Sequence, residues 1–137
     1  QLQKQIVELN LQGKCFLEHS VPDIASKFQE SSIFVLSSRF EGFGLVIVEA
    51  MSCGLPVVSF ACHCGPRDII SEGGDGFLVS EGDIDGLATK IDWLIEDNEL
   101  RKKMGKMARV KAEKYRIEEI GAQWIALFES LYKSESK

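Results

Sequence analysis

The sequence predicts an α/β fold, a parallel sheet with flanking helices, and three observations carry that prediction. Short β-type runs alternate with helical patterns along the chain, the order expected of βαβ units. Two of the runs, Ile33 to Ser37 and Pro56 to Phe60, are almost continuously apolar, as strands covered on both faces are. Glycine and proline fall between the elements, where they end one and start the next.

Taken in order, a helix is expected near residues 2–11, followed by a first β-type run, Lys14-Cys15-Phe16-Leu17. Pro22-Asp23 can open a second helix over about 22–30, before the run at Ile33-Phe34-Val35-Leu36-Ser37. A third helix over about 44–53 is closed by Gly54 and Pro56, and the run Pro56-Val57-Val58-Ser59-Phe60 follows. Gly65-Pro66 places proline at a first helical position, where its missing N–H costs nothing, and predicts a helix over 66–72. Gly73-Gly74-Asp75-Gly76 is a turn into the run Gly76-Phe77-Leu78-Val79. Helices over about 84–97, 98–114 and 117–132 complete the chain. The last carries Ile117, Ile120, Trp124, Leu127, Phe128 and Leu131 as one apolar stripe, which predicts packing against the sheet or against a neighbouring domain. Four strands are few for a doubly wound sheet, and the chain opens on a helix with no strand before it. The expectation is one domain over residues 1–137, with the first strands and any N-terminal domain lying upstream.

Composition narrows the function. Of 137 residues, 45% are hydrophobic and 27% charged, an ordinary globular balance that excludes wholesale disorder. A net charge of −5 argues against nucleic acid as a partner. The longest apolar run, Phe43 to Val48, has six residues, far short of the roughly 20 that span a bilayer. Charge is nonetheless segregated: residues 1–98 carry six basic and fifteen acidic groups, residues 99–137 ten and six. The basic excess in Arg101, Lys102, Lys103, Lys106, Arg109, Lys111, Lys114 and Arg116 reads as a solvated helix face, or as a surface resting on an anionic membrane or an acidic partner domain. Cys62 and Cys64 are too close for an easy bridge, and Cys15 and Cys53 have apolar neighbours, so the thiols point to a reducing, cytoplasmic compartment.

The stretch that carries chemistry runs from Ser37 to Met51, from the carboxyl end of a predicted strand, through a glycine-bearing loop, into an apolar helix. In an open α/β sheet this is where ligands bind. Gly42 and Gly44 allow close backbone approach, and the N–H groups of Phe43, Gly44 and Leu45 suit a phosphate at a helix N-terminus. Glu41 stands in the loop and Glu49 within the helix. Val46, Ile47, Val48, Ala50 and Met51 surround Glu49, so the helix is expected to be buried and the carboxylate to need a partner. That partner is either internal (Arg39, Lys27 or backbone amides) or the hydroxyl groups of a ligand.

Other chemistries fit poorly. Ile47 stands where a dinucleotide fingerprint has its third glycine, and no P-loop pattern is present. Cys62-His63-Cys64 lacks a second pair at zinc spacing, and His19 is the one other imidazole. Asp68, near a helix start, can answer the helix dipole. Cys53 and Cys64 read as small apolar residues, and Trp93 and Trp124 as packing in the core or at a domain interface.

Ser37-Ser38-Arg39-Phe40-Glu41-Gly42-Phe43-Gly44-Leu45, with Glu49 eight residues after Glu41, resembles the E-x7-E motif of family 4 retaining glycosyltransferases of the GT-B type. The likeness continues through Glu49-Ala50-Met51-Ser52-Cys53-Gly54-Leu55-Pro56-Val57-Val58, Gly65-Pro66-Arg67-Asp68-Ile69-Ile70 and Asp75-Gly76-Phe77-Leu78-Val79. It covers most of the chain in the right order, and an ordered set of this length is far more specific than a pair of glutamates.

The resemblance implies two Rossmann-like domains facing a cleft, this chain being most of the C-terminal one, which holds a nucleotide-diphosphate sugar donor. Glu41 would then contact hydroxyls of the transferred sugar as the catalytic-site acid. Gly42, Phe43, Gly44 and Leu45 would form the donor-binding turn, with the backbone N–H groups of Phe43, Gly44 and Leu45 meeting the diphosphate or sugar. Glu49 would hold the ribose, whose hydroxyls supply its missing partners. Transfer retains anomeric configuration and calls for no metal and no other cofactor, with electrostatic stabilisation of the departing diphosphate carrying much of the work. The acceptor would be a glycan or a lipid-linked species, at the cytoplasmic side of a membrane. The family's arginine–lysine pair, its acceptor domain and that domain's histidine have no counterpart in this sequence; neither His19 nor His63 stands where that histidine would. This chain by itself is therefore expected to bind donor weakly and to transfer nothing. The other function class is a non-catalytic nucleotide-sugar-binding or assembly module of the same fold.

Overall fold

The computed structural model describes residues 1–135. Its elements follow one another as α1 (Leu2–Glu8), α2 (Ile24–Gln29), β1 (Phe34–Leu36), α3 (Leu45–Ser52), β2 (Val57–Phe60), α4 (Pro66–Ile69), β3 (Gly76–Val79), α5 (Ile84–Glu96), α6 (Asn98–Ala112), a 3-10 turn (Glu113–Tyr115) and α7 (Ile117–Glu135). The three strands form one sheet in the order β1-β2-β3. Both pairings are parallel, Val35 opposite Val58 and Val58 opposite Phe77. The α/β reading therefore stands, with helices α3 and α4 making the crossovers that parallel neighbours require.

The local chemistry explains the element starts. Asp23, Asp83 and Asp97 cap α2, α5 and α6, their carboxylates accepting from the N–H groups of Ala25, Gly86 and Leu100 at 3.1, 2.8 and 2.8 Å. Pro66 occupies the first turn of α4 as expected, but the helix is four residues long and ends where Ile70 turns extended, short of residue 72. The first helix also stops early, where Asn10 takes a positive φ of 53°.

One predicted strand is absent. Lys14 to Leu17 lies in a turn and irregular chain, with the N–H groups of Lys14 and Cys15 both directed at the Leu11 carbonyl. A strand needs a ladder partner and a covered face, and this run has neither: Phe16 is 72% exposed. Cys15 is likewise exposed rather than set among apolar neighbours. The next run pairs only with β2, and Val35 stands 38% exposed, so β1 is an edge strand with one open face instead of a strand covered twice. β2 is buried at all four positions, as its composition predicts.

Side chains alternate across β2. Val57 joins Ile47, Met51, Ile69, Ile70, Ala108 and Ala112 on one face, and Val58 and Phe60 join Phe77, Val79, Leu87, Leu94 and Met104 on the other. Helix α3 therefore packs on the first face beside the C-terminal half of α6. The apolar stripe of α7 does not pack on the sheet: Trp124 and Phe128 touch each other at 5.5 Å between ring centroids and stay 54% and 60% exposed. Trp93, by contrast, meets Phe77 edge-on at 5.8 Å, with the Lys90 ammonium 3.8 Å over its ring.

Candidate functional site

The carboxyl edge of β1 leads through residues 37–44 to the start of α3, and Gly44 makes the turn. Its φ of 84° and ψ of 49° are left-handed, a conformation that favours glycine, and it stands as N-cap with no side chain to serve the helix. Among the described residues, no acceptor within the chain takes the N–H groups of Phe43, Gly44, Leu45 or Val46. The first internal bond at this end is Ile47 N–H to the Gly44 carbonyl at 2.9 Å. The result is a cluster of N–H donors without an internal acceptor at the positive end of a helix, the arrangement that holds anions, with Gly44 itself buried at its centre.

The two acids sit on either side of this turn. Glu41 is half-buried in the loop, near enough to Gly65 that a methyl there would lie 3.5 Å from the Glu41 Cβ. Its charge also reaches Cys62: burial above all, with the carboxylates of Glu41 and Glu81 and the Cys64 thiol adding, pushes the Cys62 thiol above its ordinary range. Cys62 is thus held as a neutral thiol, not poised as a nucleophile.

Glu49 corrects an expectation. It is exposed, not buried, because α3 turns Ile47, Ala50 and Met51 inward and leaves the face of Leu45 and Glu49 to solvent. A run that is apolar in sequence everywhere but one position still has an outer face, and Glu49 is that position. Neither internal partner materialises. Lys27 pairs with Glu18 at 3.6 Å, and neither Arg39 nor any other described residue bonds the Glu49 carboxylate. Glu49 lies one helical turn beyond Leu45, and both side chains are on the exposed face of α3, next to the helix start.

Two contacts that the sequence does not announce hold this turn in place. Gly65, the N-cap of α4, has φ of 83°, and a Cβ there would stand 2.3 Å from the Phe43 carbonyl oxygen. The loop after β2 thus lies flat against the donor turn, and only glycine permits that. Its own shape is fixed by Gly65 N–H donating to the Asp68 carboxylate at 3.1 Å and by Arg67 Nε donating to the Ala61 carbonyl at 2.6 Å. Asp68 therefore serves its helix start. On the other side, the ring of Tyr115 meets that of Phe43 edge-on, 5.8 Å between centroids. The sequence marks Gly65-Pro66 as a helix start and as part of the family resemblance, but not as a contact of Phe43, and gives no sign of Tyr115; both contacts join residues far apart in the chain.

Cys64 Sγ lies 3.9 Å from His63 Nδ1, and no group of three or more metal-binding side chains assembles among the described residues. A concavity of about 780 Å³ at the α5–α6 junction, lined by Trp93, Glu96, Asp97 and Leu100, is acidic and lies away from the turn amides. The chemistry concentrates at the α3 end instead. No described helix is long and apolar enough to cross a membrane.

A family model described as glycosyl transferases group 1 matches residues 1–111. The chain belongs to that family. It is 34% identical, over 93% of its own length, to the poly(ribitol-phosphate) alpha-N-acetylglucosaminyltransferase of Staphylococcus aureus, of which it spans 26%. It is 36% identical over 74% of its length to an uncharacterized glycosyltransferase of Haemophilus influenzae, spanning 29% of that protein. Among solved structures, TarM superposes with a TM-score of 0.85 at 33% identity, over 93% of this chain and 26% of that one. HepE of Anabaena in complex with UDP superposes with 0.89 at 29% identity, over 94% and 36%. The three-stranded parallel sheet with its helices thus matches part of a larger GT-B architecture, the C-terminal Rossmann-like domain.

Proposed function

We propose that this chain is the donor-binding domain of a family 4 retaining glycosyltransferase, taking a nucleotide-diphosphate sugar at the α3 turn. The observation that carries the reading is the coincidence, at one sheet edge, of unpartnered turn amides at Phe43 to Val46 with an exposed, unpaired Glu49. Amides at a helix end favour a diphosphate, and a carboxylate one turn on accepts from the two hydroxyls of a ribose. Glu41, on the other side of the turn, would meet hydroxyls of the transferred sugar. Structures of Anabaena HepE, at 29% identity, hold UDP and UDP-glucose, which supports this ligand class.

In this reading the turn donors stabilise the negative charge that grows on the departing diphosphate, and no metal or other cofactor is assigned to it. A helix end supplies only about half a unit of charge against roughly two on the diphosphate. In this reading the cations that complete the clamp come from an upstream segment and the acceptor site from an N-terminal domain, and this chain alone transfers nothing. The exposed stripe of α7, from Ile117 to Leu131, is the surface that such a domain would cover. Acceptors would be glycans or lipid-linked species at the cytoplasmic side of a membrane. The outer face of α6 supports that location: Lys103, Lys106 and Arg109 are exposed there, and Lys114 in the 3-10 turn after it, all without an acidic partner, while Lys102 pairs only with Glu99 at 3.5 Å.

Ligand-detected NMR of the chain against UDP, GDP and their sugar conjugates tests the assignment. Saturation transfer to ribose and sugar protons, lost in Glu49→Ala, is expected. Equal transfer in native chain and variant would remove Glu49 from the site. Activity of the longer protein that survives both Glu41→Ala and Glu49→Ala unchanged would overturn the site assignment, and a longer protein with no transferase activity would favour the non-catalytic module.

A further inference from the structure

The donor turn carries no side-chain cap of its own, so its shape has to come from outside. Gly65 supplies one wall, against the Phe43 backbone. The opposite wall is Tyr115, whose ring meets Phe43 edge-on at 5.8 Å and 63°. Phe43 is 43% exposed even with this contact, so without it the side chain would stand still further in water.

Tyr115 is itself on a fixed mount. It ends the 3-10 turn that follows α6, and Ala112 just before that turn is buried with Ile47 and Ile69. Lys111 donates to Ser71 Oγ at 2.7 Å and lies 3.4 Å from the Asp75 carboxylate, which is almost wholly buried. Asp75 in turn accepts from Ser71 N–H at 2.8 Å. The end of α6 is thereby tied to the turn before β3, which fixes the backbone just before the ring. Burial, helped by the nearby charges of Asp75 and Asp68, pushes the Tyr115 phenol up, so it stays neutral through the physiological range and the ring contact is insensitive to pH there.

We infer that Tyr115 is a positioning residue: through Phe43 it sets the donor amides of residues 43–45 for a nucleoside diphosphate without touching the ligand itself. The inference rests on the donor-site reading above, and it assigns a role to the ring, not to the hydroxyl. Tyr115→Phe should therefore behave as native and Tyr115→Ala should not.

The test uses the 137-residue chain, UDP as probe, and the backbone amide chemical shifts of Phe43, Gly44 and Leu45 in the free chain. An aromatic pair of this geometry corresponds to roughly a three- to tenfold change in an equilibrium. Tyr115→Ala is expected to move these amide resonances and to weaken UDP by about that factor, while Tyr115→Phe restores both. A thermal melt of each variant confirms folding. UDP affinity of Tyr115→Ala within twofold of native overturns the role, whether or not the resonances move. Failure of Tyr115→Phe to restore binding overturns the assignment to the ring. If the native chain itself takes up no UDP, the donor-site reading fails and the positioning role with it, a result recognised because native and variants then agree.

Discussion

Replacing Gly65 by alanine probes the contact on which the donor turn leans. A Cβ there would lie 2.3 Å from the Phe43 oxygen and 2.8 Å from its carbonyl carbon, whereas ordinary contact begins at 3.4 Å. The turn must retreat by about 1 Å, roughly twice the width of the distance range that an N–H···O hydrogen bond occupies. The φ of 83° adds strain of about 1–3 kcal/mol for a residue with a side chain. Clash and strain together should cost about 2–6 kcal/mol. For a chain of 137 residues, about 0.3 kcal/mol shifts the melting temperature by one degree, so a fall of roughly 7–20 °C is expected. Gly73→Ala is the control: its φ is 72° but nothing lies within 4 Å of the added methyl. Circular-dichroism melts of the two variants separate strain from collision, and UDP titrations read the displacement of the turn. Gly65→Ala should lose at least tenfold in UDP affinity where Gly73→Ala loses none. Equal melting temperatures and equal affinities in the two variants would refute the reasoning, because the collision would then have no consequence.

Glu49→Ala should leave the melting temperature within what about 0.5 kcal/mol produces, since the carboxylate is exposed and unpaired, while UDP binding falls; a large loss of stability would show a structural role instead. Both Cys62 and Tyr115 have folded-state values raised above their ordinary ones, so each neutral form is favoured by folding and stability should decline as pH rises past about 9; urea unfolding across pH 7–11 reads this, and the decline should be shallower in Tyr115→Phe. Trp124→Ala together with Phe128→Ala should barely change the melt of this chain, because neither ring packs on the sheet; a loss beyond about 2 kcal/mol would mean that α7 stabilises the domain itself. Reversing Lys103, Lys106 and Arg109 to glutamate should abolish co-sedimentation with vesicles rich in phosphatidylglycerol, and neutral phosphatidylcholine vesicles should capture neither form; undiminished capture of the reversed variant would exclude α6 as the contact.

Much of the architecture could be read from local pattern. The β2 run is buried throughout, and Pro66 and Asp97 start helices where proline and a capping carboxylate do so. The failures share a cause. Lys14 to Leu17 has the composition of a strand but no neighbour, and pairing is a tertiary fact. Glu49 was expected in the interior because apolar residues flank it, yet which face of an eight-residue helix meets the core is decided by what packs on it. Ile117 to Leu131 announces an apolar face without saying what covers it. The donor turn itself was legible, since glycines, a strand end and a helix start lie within one stretch of sequence. Its two walls were not: Gly65 and Tyr115 reach Phe43 only through the fold.

The account's central claim is that the turn at Phe43 to Val46, with Glu49, receives a nucleoside diphosphate. Titrating UDP into isotope-labelled chain and following the backbone amide spectrum tests it most directly. The account predicts that the largest shifts fall on the amides of residues 43–46 and 49, and that Glu49→Ala removes most of them. Shifts confined to the concavity between Trp93 and Leu100, or none anywhere at millimolar UDP, would contradict it.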